Sequence, residues 1–208
     1  MSPDRAMLRY LALGDSYTIG EGVAPDGRWP AAMARRLRAE GVPLGEPRIL
    51  AVTGWTTDEL AAAIEREALQ PPYDLVSLLI GVNNQYRGRD IFNFRDEFDA
   101  LLQHALAFAG GRAARVLAVS IPDWGVTPFA RVNGHDPARV AAAIDTFNRA
   151  AAEIAARAGV VYVDVTAASR QAGAAPDLLV DDALHPSAAQ YARWLDTLLP
   201  AARSALAV

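Results

Sequence analysis

A serine hydroxyl becomes a useful nucleophile only when a base takes its proton and fixed dipoles receive the charge it creates. The chain offers candidates for each part. Ser16 follows Gly14-Asp15 where an apolar run over 7–13 breaks off, which puts its hydroxyl and N–H at a turn from strand to helix. Asp182 stands three residues before His185, with Pro186 next. Within a turn, that spacing lets one imidazole N–H donate to the carboxylate and leaves the other nitrogen for a serine proton. Asp181 is a competing partner, one residue further away. Gly81-Val82-Asn83-Asn84 follows a buried strand, and an asparagine there can donate an N–H to a developing oxyanion. Gly54, in Thr53-Gly54-Trp55-Thr56-Thr57, can offer a backbone N–H to the same charge. Each has an ordinary explanation when taken alone: a turn serine, a helix cap, a loop glycine. Together they supply the nucleophile, base, orienter and donors of acyl transfer.

Those groups need a scaffold that gathers them. Apolar strand-like runs over 9–14, 47–52, 74–80, 115–121 and 160–165 alternate with helical spacing over 29–40, 57–69, 91–109, 137–158 and 187–206. Pro200 is a candidate kink in the last helix. This alternation predicts an α/β fold with a parallel five-stranded sheet and helices on both faces. The run over 74–80 is almost continuously apolar, as for a strand covered on both sides. No repeat, linker or composition shift divides the chain, so residues 1–208 are read as one domain. In such sheets ligands bind at the carboxyl ends of the strands. Ser16, Gly54 and Asn83 follow strands one, two and three, and Asp182 and His185 follow strand five. The longest connection without predicted regular structure, about 122–137, carries Trp124 and Phe129; with Tyr17, Trp55 and Tyr86 these aromatics are the expected walls of a short cleft.

Composition narrows the alternatives. The 208 residues carry a net charge of −4, and all 20 basic residues are arginine, so no mechanism can use a lysine. The charge balance offers no footprint for a nucleic-acid partner and does not favour docking on anionic membranes. There is no cysteine, which removes disulfides, thiolate catalysis and cysteine-bound metals. The three histidines, at 104, 135 and 185, lack metal-ligand spacing, and no metal or other cofactor is expected. No signal peptide or membrane span is legible, so the expected location is cytoplasmic. The expected partner is a small-molecule ester, with the oligomeric state open.

Gly14-Asp15-Ser16, Gly54, Gly81-x-Asn83 and Asp182-x-x-His185 occur in this order along nearly the whole chain. In this the sequence resembles the SGNH hydrolase superfamily, the GDSL esterases and lipases. The resemblance implies a three-layer α/β/α, flavodoxin-like fold. It implies Ser16 as nucleophile, His185 as general base and acid, and Asp182 as its orienter. The oxyanion hole would comprise the N–H groups of Ser16 and Gly54 and the Asn83 side chain. The reaction implied is hydrolysis of carboxylic esters of short to medium acyl chain through an acyl-enzyme. A carbohydrate deacetylase, a thioesterase and a lysophospholipase are alternatives on the same triad. A nucleotide- or flavin-binding module is the alternative from another class, but the loop after strand one lacks a phosphate-binding glycine pattern. Two positions depart from the common family pattern: Asn84 stands where an aspartate is usual, and Tyr17 where an aliphatic residue is.

Overall fold

In a computed structural model, which describes residues 6–172 and 175–206, five strands form one parallel sheet: β1 (Tyr10–Gly14), β2 (Arg48–Ala51), β3 (Leu75–Leu79), β4 (Val116–Val119) and β5 (Val161–Val163). Their spatial order is β2-β1-β3-β4-β5, with every neighbouring pair parallel. The order of strands reverses between β1 and β3, and a sheet of this kind opens its ligand crevice there. β1, β3 and β4 are buried along their whole length, because helices cover both faces. The one polar side chain within β3, Ser77, is fully buried and hydrogen-bonds the Tyr10 hydroxyl at 2.9 Å, as a buried hydroxyl requires.

On one face α2 (Trp29–Ala39) packs against α9 (Ala188–Leu206); on the other α3 (Thr57–Arg66), α5 (Ile91–Phe108) and α7 (Pro137–Arg157) pack in sequence. These helices start where the sequence provides caps. Thr56 and Glu59 form a capping box at α3. Asp90 accepts the N–H groups of Phe92 and Asn93 at α5, and Asp136 accepts that of Ala138 at α7, each satisfying donors that have no partner inside the helix. No helix among the described residues is long and apolar enough to cross a membrane.

The predicted strands and long helices are all present, most of them a residue or two shorter. α3 stops at Arg66, ahead of the prolines expected to end it. α9 continues through Pro200. Four short helices were not expected: α1 (Ser16–Ile19), α4 (Val82–Tyr86), α6 (Pro128–Val132) and α8 (Thr166–Ala172). The supposed structureless stretch 122–137 is in fact built from a 3₁₀ turn at Trp124–Val126 followed by α6. All four additions are too short for helical periodicity to show in sequence, and three of them, α1, α4 and α6, border the site.

Candidate active site

The tight turn after β1 depends on Gly14. A β-carbon there would lie 2.2 Å from the Thr18 hydroxyl and 2.4 Å from the Leu79 carbonyl, so only glycine lets α1 fold back onto the sheet. Asp15 caps α1: its Oδ1 accepts the Tyr17 N–H at 3.0 Å, and its carbonyl accepts those of Thr18 and Ile19. The Ser16 N–H, first in this helix, has no acceptor among the described residues. The Tyr17 carbonyl in turn receives the Trp29 indole N–H and the Tyr191 hydroxyl, each at 3.1 Å. The nucleophile candidate thus sits on a turn clamped from α2 and α9.

His185 reaches the same place from the other end of the chain. The Val180 N–H donates to the His185 carbonyl at 2.9 Å and closes a turn around 181–184. Inside it Ala183 adopts φ +58, a left-handed conformation that costs a non-glycine residue about 1 kcal/mol or more. Asp182 holds the turn by accepting the N–H groups of Leu184 and His185 at 2.8 and 2.9 Å with Oδ1. Its Oδ2 lies 2.5 Å from His185 Nδ1. Partial burial pushes the Asp182 carboxyl up, but the His185 ring and these two N–H groups outweigh it and hold it below the usual range. Asp181 makes no bond to the ring among the described residues; it lines a separate depression with Glu21 and Gly22. The Tyr17 ring supports the imidazole at a centroid distance of 5.5 Å. No hydrogen bond joins Ser16 Oγ to His185 among the described residues; such bonds commonly tighten only when substrate arrives.

The third wall comes from the segment after β3. Gly81 turns there with φ +121, a conformation open to glycine, and α4 begins. Asn83 Nδ2 donates to the Trp55 carbonyl at 2.9 Å, which leaves its second N–H for a ligand. Arg87, at the far end of α4, donates to the Gly54 carbonyl at 2.7 Å. The Gly54 N–H has no acceptor among the described residues, and Gly54 has φ +89.

These elements enclose a cleft of about 200 Å³ lined by Ser16, Gly54, Asn83 and His185 together with an apolar wall. The structure therefore brings together the sequence-predicted serine, histidine, glycine and asparagine, with Asp182 behind the histidine. Of the predicted aromatic walls, Tyr17, Tyr86, Trp124 and Phe129 line the cleft. Trp55 does not: its ring packs half-buried against the edge of the core, and what it brings to the site is its carbonyl. Sequence reasoning missed Thr53, Val82 and Leu184, which also line the cleft; each neighbours a predicted residue, and that adjacency was the available signal. It also missed Gln85, which accepts the Trp124 indole N–H at 2.8 Å and fixes that ring. Among the described residues, no group of three or more His, Asp or Glu is placed to hold a metal ion.

Comparison with known proteins shows the family and the fold. The profile of the GDSL-like Lipase/Acylhydrolase family matches residues 12–193. No curated protein matches the sequence significantly. Among solved structures, TesA superposes with a TM-score of 0.71 at 22% identity, covering 95% of this chain and 99% of its own. The psychrotrophic esterase EstA from Pseudoalteromonas sp. gives 0.70 at 16% identity, covering 96% and 99%. The acetylxylan esterase Axe2 from Geobacillus stearothermophilus gives 0.67 at 20% identity, covering 97% and 94%. At these identities the structures establish the shared fold, while the profile spans most of the chain: the protein belongs to the GDSL-like lipase/acylhydrolase family and is an enzyme of the carboxylic ester hydrolase kind.

Proposed function

We propose that the protein is a serine esterase in which Ser16 attacks the acyl carbon, His185 takes the Ser16 proton and returns it to the leaving alcohol, and Asp182 holds the ring. The bond between His185 Nδ1 and Asp182 Oδ2, beside a cleft that also contains Ser16, Gly54 and Asn83, is the observation that carries this reading. With Nδ1 engaged, Nε2 is the nitrogen left to exchange protons. The N–H groups of Ser16 and Gly54 and the free N–H of Asn83 receive the charge of the tetrahedral intermediate. A second round, with water in place of the serine and His185 again as base, releases the acid and restores the enzyme.

The apolar wall of Val82, Tyr86, Trp124, Phe129 and Leu184 around so small a volume supports acyl chains of roughly two to eight carbons. The substrate is then a small diffusible ester met in the cytoplasm, with no nucleic acid or stable membrane association involved. EstA, which shares the fold, has been solved inhibited by monoethylphosphonate, and a phosphonate is the direct probe here too. A fluorophosphonate should label one serine, Ser16, and Ser16→Ala should lose roughly 10⁴-fold or more in turnover. Labelling at another serine, or an active Ser16→Ala protein, would refute the assignment. Acetylated sugars, acyl thioesters and lysophospholipids tested beside simple aryl esters separate the competing substrates of the same triad.

A further inference from the structure

The segment after β3 touches the loop 54–57 at three points. Arg87 holds the Gly54 carbonyl, Asn83 holds the Trp55 carbonyl, and Asn84 holds Thr57 at the first position of α3. The third contact has an internal logic. The Thr57 N–H can only donate, so the Asn84 atom 3.1 Å from it is the carbonyl oxygen Oδ1. That turns the amide nitrogen toward Thr57 Oγ1 at 2.6 Å, where it donates. The hydroxyl has a single proton, which goes on to the Glu97 carboxylate. The other oxygen of Glu97 accepts from Asn93 Nδ2 at 2.8 Å. Each of these contacts thus pairs one donor with one acceptor, and the direction is fixed: Asn84 to Thr57, Thr57 to Glu97, Asn93 to Glu97.

Thr57 and Asn84 are fully buried, so water cannot relieve a mismatch there. An aspartate at 84 would accept the Thr57 N–H as well as asparagine does. Only the donated bond to the hydroxyl requires an amide. With a carboxylate at 84, two carboxylates would face one hydroxyl proton, and one of them would meet a lone pair at close range.

From this geometry we infer that Asn84 and Glu97 are a matched pair of positioning residues. Their relay through Thr57 locks the first turn of α3, and so holds Gly54 and the Trp55 carbonyl in register with Asn83 for stabilising an oxyanion. The inference rests on the serine-esterase reading above, because that reading gives Gly54 and Asn83 their task.

A four-member set tests it: the wild type, Asn84→Asp, Glu97→Gln and the double variant, with kcat and KM for a short aryl ester and the thermal midpoint measured for each. Asn84→Asp should lower kcat about tenfold with little change in KM, the scale expected for one mismatched buried hydrogen bond. Glu97→Gln alone should lower it less, because its side chain is only partly buried. The double variant should return to within about threefold of wild type, since the relay then runs backwards. The amide introduced at position 97 donates to Thr57, Thr57 donates to the carboxylate introduced at position 84, and the oxygen of the new amide still accepts from Asn93. A wild-type kcat in Asn84→Asp would overturn the pairing. So would a double variant no better than Asn84→Asp in kcat or, if the single variant does not fold, a double variant that also fails to fold. An active Ser16→Ala protein, measured in parallel, would instead remove the esterase mechanism itself, so the two failures are distinguishable.

Discussion

Asp15 carries a side chain that the proposed chemistry does not use directly, yet it lies beside the nucleophile. It is fully buried, Oδ1 accepts the Tyr17 N–H, and Oδ2 meets no partner among the described residues. Burial, only partly offset by the backbone N–H groups of Tyr17 and of Asp15 itself, pushes this carboxyl up from 3.8 to about 7. The folded state therefore binds a proton that the unfolded chain has already lost over that interval. The stabilisation is complete below the ordinary carboxylate range and is lost as pH rises through about 7. Asp15→Asn keeps the acceptor for Tyr17 and cannot ionise. Between about pH 4 and pH 7 the thermal midpoint of the wild type should decline relative to that of Asp15→Asn and then level off; parallel curves across that interval would show that the carboxylate is accommodated. At this scale much was legible from residue types. Serine, histidine, aspartate and asparagine announce their chemistry through spacing, whereas a partner such as Gln85, with one contact across the cleft, leaves no pattern in the chain.

The short helices are where sequence reasoning stopped, and they do much of the positioning. The long helices were legible because their apolar spacing recurs over several turns, and the strands because each is a short apolar run that breaks off at turn residues. A five-residue helix such as α4 has barely one turn in which to do so. α8 shows what such an element contributes. Its Ser169 hydroxyl accepts the Asp123 N–H at 2.9 Å, and its Arg170 guanidinium meets Asp123 at 2.8 Å and Asp145 at 2.7 Å. The Asp123 side chain is almost wholly buried, and its other oxygen caps the 3₁₀ turn that carries Trp124. Arg170→Ala would leave a buried carboxylate without its counter-charge. It should destabilise the protein by about 3 kcal/mol, read as a lower midpoint in urea unfolding. A change confined to a few tenths of a kcal/mol would mean that Asp123 is neutralised or hydrated by another route.

Across the whole molecule, the crevice between β1 and β3 gathers residues from five separated stretches of sequence, and its apolar wall sets what can enter. Trp124 is the largest member of that wall and is braced on several sides: its ring meets Tyr86 edge-on at 5.3 Å and His135 at 4.8 Å, while Gln85 holds its indole N–H. Trp124→Ala should lengthen the cleft, raising rates on esters of about ten carbons several-fold relative to acetyl esters. An unchanged chain-length profile would place the limit elsewhere. The Tyr191 hydroxyl that grips the Tyr17 carbonyl has a further implication, for the order in which a chain comes off the ribosome. Ser16 is made well before His185, its proposed base, and before α9, the helix that pins its turn. Until then, on the proposed mechanism, the nascent polypeptide carries an unarmed hydroxyl. On the proposed mechanism hydrolytic competence arrives only once His185 has been made and α9 has docked, so the growing chain cannot cleave cellular esters before that point.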